Sequence, residues 1–543
     1  MNKSCMQFKN NLILIGLVFI MSIFMNMSDS IAAIPDKTLT YCFEVSPTGF
    51  DANQSETIPA HTASAASLYN RLIEFGRGGT KLEPGLAESW DISKDGKVYT
   101  FHLRRGVQFH STPWFKPTRE FNAEDVLFTF ERMRNPNMPF RKAYPTEFTD
   151  FHSAGLDKII SKIEALNPYT VRFVLHKALA PFWLNLAAPT SSILSAEYAA
   201  KLLKEGHPSE ISWKPIGTGP FIFQEYIKDA TIRFKGNPEY WKPNDVQLSR
   251  LIFDITPDAA VRMQKLRANE CQVVTSPRLT DIPAFERDPN FQVLNQPGFN
   301  VSFLAYNTTH KPLDDVRIRR ALDMAIDKQA IIDQVYEGRA QIAIAPMSPL
   351  QWSYDKTLKD TPRDLKQAKA LLEQAGYPNG FEIALWTPPQ RSYNPNPQLM
   401  AAMIQSDWKK IGIKTKIVTY EWAEYIKRAN HGEHDALILG IVSSIPEPDL
   451  WLGGRAFGTT TRNDYSFSRW SSVLFDDLID RATQTLDIAE RTRLYTQAQK
   501  IFKQEQPVTP IAYATDDAVV NKRVTGFKIN PLGPTVFSGV GLK

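Results

Sequence analysis

Residues 381–420 run Phe381-Glu-Ile-Ala-Leu-Trp386, Thr387-Pro-Pro-Gln-Arg391-Ser-Tyr393-Asn-Pro-Asn396, Pro397 through Lys409, and, after a short turn, Ile413-Lys-Thr-Lys-Ile-Val-Thr-Tyr420. The first and last segments have strand-like composition. Between them Pro397 suits the first turn of a helix, and Leu399, Met400, Met403, Ile404 and Trp408 fall at helical spacing. Strand, helix and strand in succession, with a further helical run over Arg317–Tyr336, predict an α/β fold. The prolines of the connecting stretch favour an extended turn over helix. Arg391 therefore stands in a stiff loop just ahead of a helix, with Trp386 and Tyr393 beside it. A guanidinium placed so can grip a carboxylate with two parallel donors. The alternative is a solvated surface arginine, the ordinary place for this residue type.

With 543 residues the chain exceeds what one core serves, so several domains are expected. The formal net charge of +5 comes from mixed charges, and no basic tract interleaves with aromatics, which excludes a nucleic-acid footprint. The N-terminus reads as a secretory signal. Lys3 and Lys9 supply its charge, Leu12–Met25 its apolar run, and Ser30-Ile31-Ala32 the small residues before a cleavage placed after Ala32. Cys5 precedes the apolar run and no cysteine stands at the cleavage point, which argues against a lipoprotein anchor. No later stretch approaches about 20 uninterrupted apolar residues. The expectation is an exported, soluble, periplasmic protein without the segment 1–32. Cys42 and Cys271 then remain, as one bridge or as two buried thiols; export favours the bridge.

Enzyme motifs are absent. His431-Gly-Glu-His434 lacks the spacing of the HExxH zinc pattern and lies in a turn after a helix. Gly217-Thr-Gly219-Pro220 lacks the lysine and spacing of a phosphate loop and reads as a tight turn. There is no nucleophile elbow, dinucleotide fingerprint or cysteine nucleophile. No catalytic residue, metal site or cofactor is expected.

Along the chain, Thr38–Phe43 reads as a strand followed by the turn-rich loop Ser46-Pro-Thr-Gly49-Phe50-Asp51, and Ala63–Leu72 reads as a helix. Asp95-Gly96 between two alternating runs is a hairpin signal, and Asn122 is placed to cap a helix. Val524–Ile529 reads as a strand that needs a partner from elsewhere. The stretch Pro84–Phe109 with Asn122–Val126, then Pro215–Phe221, Lys311–Leu322, Ala368–Gly380 and Val418–Tyr425, resemble in order and spacing the family of extracellular solute-binding proteins that feed peptide and nickel ABC importers. Within it they are most similar to the Gram-negative periplasmic dipeptide-binding branch; Trp114–Arg119 also resembles the related Sap-type branch. The resemblance implies a two-lobed α/β flytrap fold that closes over its ligand. Residues 33–297, completed by 514–543, would form the first lobe, with a subdomain over about 76–204. Residues 298–513 would form the second. It further implies a monomer that binds a peptide or peptide-like ligand, partners an inner-membrane ABC permease and does no chemistry.

The same resemblance assigns the ligand carboxylate to Arg391, the side-chain pockets to Tyr393 and Trp422, and main-chain contacts to Gly49 and Phe50 in the opposite lobe. It also pairs Cys42 with Cys271. Two positions depart from the branch. Where it carries an aspartate for the ligand ammonium, alignment on Gly440 and on Pro448-Asp449 places Ser444, with Glu447 as the nearest acid. An unpaired buried ammonium costs on the order of 3–5 kcal/mol. A second bridge of the branch falls on Gly458 and Ser471 and is absent. The loop 441–471 thus differs in charge and in tether. That leaves open a receptor of the same fold for haem, blocked or longer peptides, or antimicrobial peptides.

Overall fold

The computed structural model describes residues 37–54, 57–389, 393–443, 445–454, 456–462 and 465–543. Its central element is one large sheet, twelve-stranded among the described residues. The stretch 381–420 contributes strand Glu382–Thr387, helix Pro397–Lys409 and strand Lys414–Thr419, the two strands pairing in parallel from Glu382 opposite Lys414 to Thr387 opposite Thr419. Asn396 caps the helix, its side chain accepting from Leu399 N at 3.1 Å. A second crossover through helix Trp422–His431 leads to strand Ala436–Val442, which lies parallel to Glu382–Thr387 and antiparallel to Asn300–Tyr306.

In the other half Thr38–Phe43 pairs in parallel with Arg250–Ile255 and Val273–Thr275. Strands Thr231–Gly236 and Phe221–Ile227 extend that half antiparallel. The halves are joined by one 14-residue strand, Val508–Asn521. Up to Ala514 it pairs with Asn300–Tyr306 and Ala340–Ile342; from Thr515 it pairs with Phe291–Pro297 and Val273–Thr275. Two lobes with separate hydrophobic cores share this strand. One core centres on Tyr41, Phe43 and Phe253, the other on Phe303, Trp451 and Phe502.

A separate four-stranded antiparallel sheet lies within the first lobe: Ala87–Ile92, Val98–Leu103, Thr170–Leu175 and Ile160–Asn167. Asp95-Gly96 forms its first hairpin, with Gly96 in the left-handed region at φ 68°. Asn122 caps helix Ala123–Arg134 in a reciprocal box with Asp125, whose carboxylate accepts from Asn122 N at 3.0 Å.

Three sequence expectations need correction. Helix Ile58–Ala63 starts earlier than the run over Ala63–Leu72 and stops where that run begins. Beyond it the backbone is taken by distant segments: Leu68 O accepts from Gly219 N at 2.9 Å and Ser67 O from Phe221 N at 3.1 Å. Gly217 is needed there, since a Cβ on it would lie 2.0 Å from Leu68 O. The helical run Arg317–Tyr336 is two helices, Val316–Ala325 and Lys328–Val335, because Asp327 turns to cap the second. The strand read over Val524–Ile529 shrinks to Val524–Thr525, paired with Gly541–Leu542, and Gly526 at φ 71° ends it.

Cys42 and Cys271 are joined by a disulfide, Cα to Cα 5.7 Å, closing a loop of 229 residues. Both are buried beside Met263, Leu266, Val274 and Val519. In the chain-entropy account a closure of this length contributes about 5 kcal/mol, less whatever native strain removes. The double variant Cys42→Ala with Cys271→Ala is expected to lose about 2–5 kcal/mol in urea unfolding; an unchanged midpoint and slope would show that the bridge adds nothing.

Candidate functional site

The candidate loops share one topological position. Those after Thr38–Phe43, Glu382–Thr387, Lys414–Thr419 and Ala436–Val442 all follow the carboxyl ends of strands with parallel neighbours. That is where open α/β sheets place ligands.

Tyr393 and Trp422 reach the same wall of the second lobe, which is built around Gly440. A Cβ at that position would lie 2.2 Å from Cδ2 and 2.5 Å from Cε2 of Tyr393, so only glycine leaves room for the ring. The Tyr393 carbonyl accepts from Tyr336 Oη at 3.0 Å, which fixes the loop from beneath. Tyr425 Oη donates to Ile438 O at 2.7 Å, so its ring lies over the same strand. Trp422 stacks on Tyr425 at 6.2 Å with planes 6° apart, and Trp386 packs on Tyr420 at 4.8 Å and on Tyr425 at 6.0 Å. Burial pushes the Tyr425 and Tyr336 hydroxyls up, so both act as neutral donors. Tyr393 is buried while Trp422 stays half-buried.

Arg391 and Ser444 lie outside the described residues. Next to Ser444 in the chain, Ser443 donates its N–H to Phe299 O at 3.1 Å and its hydroxyl to Ile445 O at 2.6 Å. Glu447 is already engaged. Its Oε1 accepts from Arg491 Nη2 at 2.5 Å and from Tyr495 Oη at 3.0 Å, with the Glu447 and Arg491 side chains 1 % and 6 % exposed. Burial raises its carboxyl pKa and the Arg491 charge opposes the rise. Asp449 is held by Arg462 at 3.2 Å. These two acids hold the loop in place.

In the first lobe, Phe50 is buried with its ring on Phe223 at 4.8 Å and Tyr226 at 5.4 Å, and its N–H donates to Ser212 O at 2.8 Å. A Cβ on Gly49 would lie 2.4 Å from Ser212 Oγ. The described contacts of Gly49 and Phe50 are made within that lobe, and the Phe50 N–H is committed to the protein. Asp51 forms a fully buried ion pair with Arg132.

The two histidines separate. His431 Nδ1 donates to Lys427 O at 2.8 Å on the exposed end of its helix. His434 is buried under Trp386 and donates from Nε2 to Phe467 O at 2.8 Å. Among the described residues no group of three or more His, Cys, Asp or Glu is placed to hold a metal, and no helix is long and apolar enough to cross a membrane. In the sequence Gly440 serves as an alignment anchor and Tyr425 as the end of a matching stretch, and neither one's place in this wall is read there. An isolated glycine inside the apolar run Ala436–Val442 was the available signal.

Comparison with known proteins gives consistent matches. Residues 81–462 match the profile of the bacterial extracellular solute-binding proteins, family 5. The chain is 54 % identical over 516 residues to di/tripeptide-binding protein 1 of Pseudomonas aeruginosa (strain UCBPP-PA14), covering 94 % of this chain and 96 % of that one. It is 41 % identical to heme-binding protein A of Haemophilus influenzae, covering 93 % and 92 %. A solved dipeptide-binding protein from Pseudoalteromonas sp. SM9913, in complex with Met-Leu, superposes with a TM-score of 0.84 at 34 % identity, covering 93 % of this chain and all of that one.

Gly440→Ala is expected to displace the Tyr393 ring and cost about 1–3 kcal/mol in urea unfolding, the scale of overpacking; wild-type stability would mean that the ring yields freely. Burial also pushes the His434 imidazole down to about 4. Its neutral form therefore stabilises the fold above the unfolded value near 6.5, and this share is lost as pH falls from there to about 4. NMR titration should find His434 neutral at pH 5.5, and His434→Gln should flatten the decline in stability over that range.

Proposed function

This chain belongs to the family 5 bacterial extracellular solute-binding proteins, and from that premise we propose that it is the periplasmic receptor of an ABC importer. It captures dipeptides or short peptide-like ligands and hands them to an inner-membrane permease. The observation that carries this proposal is the near full-length identity of 54 % to a di/tripeptide-binding protein. As a solute-binding protein it performs no catalysis. Segment 1–32 directs export and is removed, and the chain works as a monomer.

Lobe closure would proceed about the strand shared by the two cores. The first lobe takes residues 33–297 and the return segment 514–543, the second takes 298–513, and the small antiparallel sheet is the body of the subdomain over 76–204. The change of partners after Ala514 supports this division. Arg391 takes the ligand carboxylate, while Tyr393 and Trp422 wall the side-chain pockets. Gly49 and Phe50 offer main-chain groups from the opposite lobe. Ser444 supplies a hydroxyl where a charge is expected. A second possibility has one observation in its favour: the same full-length similarity extends to a heme-binding protein, and Ser444 lacks the charge that an ammonium needs.

Ligand released from gently purified protein and identified by mass spectrometry decides between them. Short peptides with free amines would support the peptide receptor; haem or an amine-free molecule would replace it. Against a peptide so identified, Arg391→Ala should weaken binding by more than about tenfold in calorimetry, the scale of losing a bidentate charge-assisted contact. An unchanged dissociation constant would remove Arg391 from the site.

A further inference from the structure

The shared strand Val508–Asn521 carries two adjacent acids with different surroundings. Asp517 is paired: Oδ1 accepts from Arg339 Nη1 at 2.9 Å and Asn295 Nδ2 at 2.8 Å, and Oδ2 from Thr515 Oγ1 at 3.0 Å. Asp516 points to the opposite face of the sheet, as successive strand residues must. There it faces Gln296, its direct cross-strand partner. Its Oδ1 lies 3.1 Å from where a Cβ on Gly298 would sit, so the glycine keeps that side open. Among the described residues nothing donates a hydrogen bond to Asp516 or pairs with its charge. On the same face the Gln296 amide nitrogen is buried and donates to nothing among the described residues.

Asp516 is half-buried, and the buried Gln296 amide nitrogen beside it has no acceptor among the described residues, so an unpaired acid and an unused donor stand together where solvent still reaches. Burial, and then the neighbouring Asp517, push the Asp516 carboxyl up to about 7, and an adjoining cation would draw it down again. The position is central. Asp516 stands two residues past Ala514, where the strand passes from the second lobe to the first. Its neighbour Gly298 leads into Phe299, whose carbonyl accepts from Ser443 N, the residue before Ser444. The acids that follow in that loop, Glu447 and Asp449, are held by Arg491 and Arg462.

We propose that Asp516 receives the ammonium group of a free-amine peptide ligand, with the Gln296 amide beside it as donor to a ligand carbonyl. The negative charge missing from position 444 would thus come from the floor of the cleft. This rests on the peptide-receptor function proposed above. The test is calorimetry of the full-length mature protein with alanyl-alanine and with N-acetyl-alanyl-alanine. Asp516→Asn should weaken alanyl-alanine by about tenfold or more and leave the acetylated peptide within twofold of wild type. The same variant, freed of an unpaired charge, should show a raised Tm without ligand at pH 8. Asp516→Ser, a smaller uncharged side chain, repeats the comparison should the first variant fold poorly. Equal affinity of wild type and variant for alanyl-alanine overturns the role of Asp516 while the receptor function stands. If the wild-type protein binds neither peptide, the receptor function fails and the inference with it.

Discussion

One strand, Val508–Asn521, satisfies backbone groups of both lobes, and this is the constraint on which the molecule depends. Every buried N–H and C=O on such a strand needs a partner, so the change of partners at Ala514–Thr515 leaves a gap in the ladder. Side chains fill it. Asn300 donates to Ala514 O at 3.0 Å and accepts from Ala514 N at 2.9 Å. Thr515 donates its N–H to Arg339 O at 3.1 Å. Arg339 then reaches from the second lobe to Glu286 in the first and to Asp517 on the strand itself. At this patch the hydrogen bonds are made by a few side chains, in contrast to the regular ladders on either side.

The same constraint sets the site. Because the strands of each half run in parallel toward the junction, their carboxyl ends carry the loops that hold the candidate residues. Around those loops the described ionisable groups are largely consumed in fixed pairs: Asp51 with Arg132, Glu447 with Arg491, Asp449 with Arg462. The rest of the wall is aromatic and neutral, with Tyr336 and Tyr425 acting as donors to main-chain carbonyls. Breaking a buried pair to serve a ligand would cost several kcal/mol, so a ligand charge must be met by a group that the fold leaves unpaired. Among the described residues nothing pairs with the Asp516 carboxylate, so it is a candidate for that role.

Local signals in the sequence were legible where local physics decides the structure. The helix Pro397–Lys409, the Asp95-Gly96 hairpin and the Asn122 cap each rest on residues within a few positions of one another. Legibility failed where a distant segment competes. Ser67 and Leu68 give their carbonyls to Phe221 and Gly219 rather than to a helix. The junction strand was not read from the sequence, and only the fold shows that Asp517 is paired while Asp516 has no partner among the described residues. The need for glycine at 440 was equally illegible, since the ring that requires it lies 47 residues earlier in the chain.

The described residues of the loop 441–471 are held by polar contacts and aromatic packing. The segment is closed by hydrogen bonds: Thr460 N to Trp470 O at 2.8 Å, Ser466 Oγ to Gly458 O at 2.7 Å, and Thr459 Oγ1 to Asp476 at 2.6 Å. Gly458 permits this, because a Cβ there would lie 2.6 Å from Gly454 O. Trp470 adds apolar weight by packing on Phe475 at 4.9 Å and Phe502 at 5.8 Å. On the reading proposed above, in which position 444 brings no charge to a ligand ammonium, that charge has to come from another element. Under that proposal Asp516 suits the need, because it stands on the strand that both halves of the sheet share.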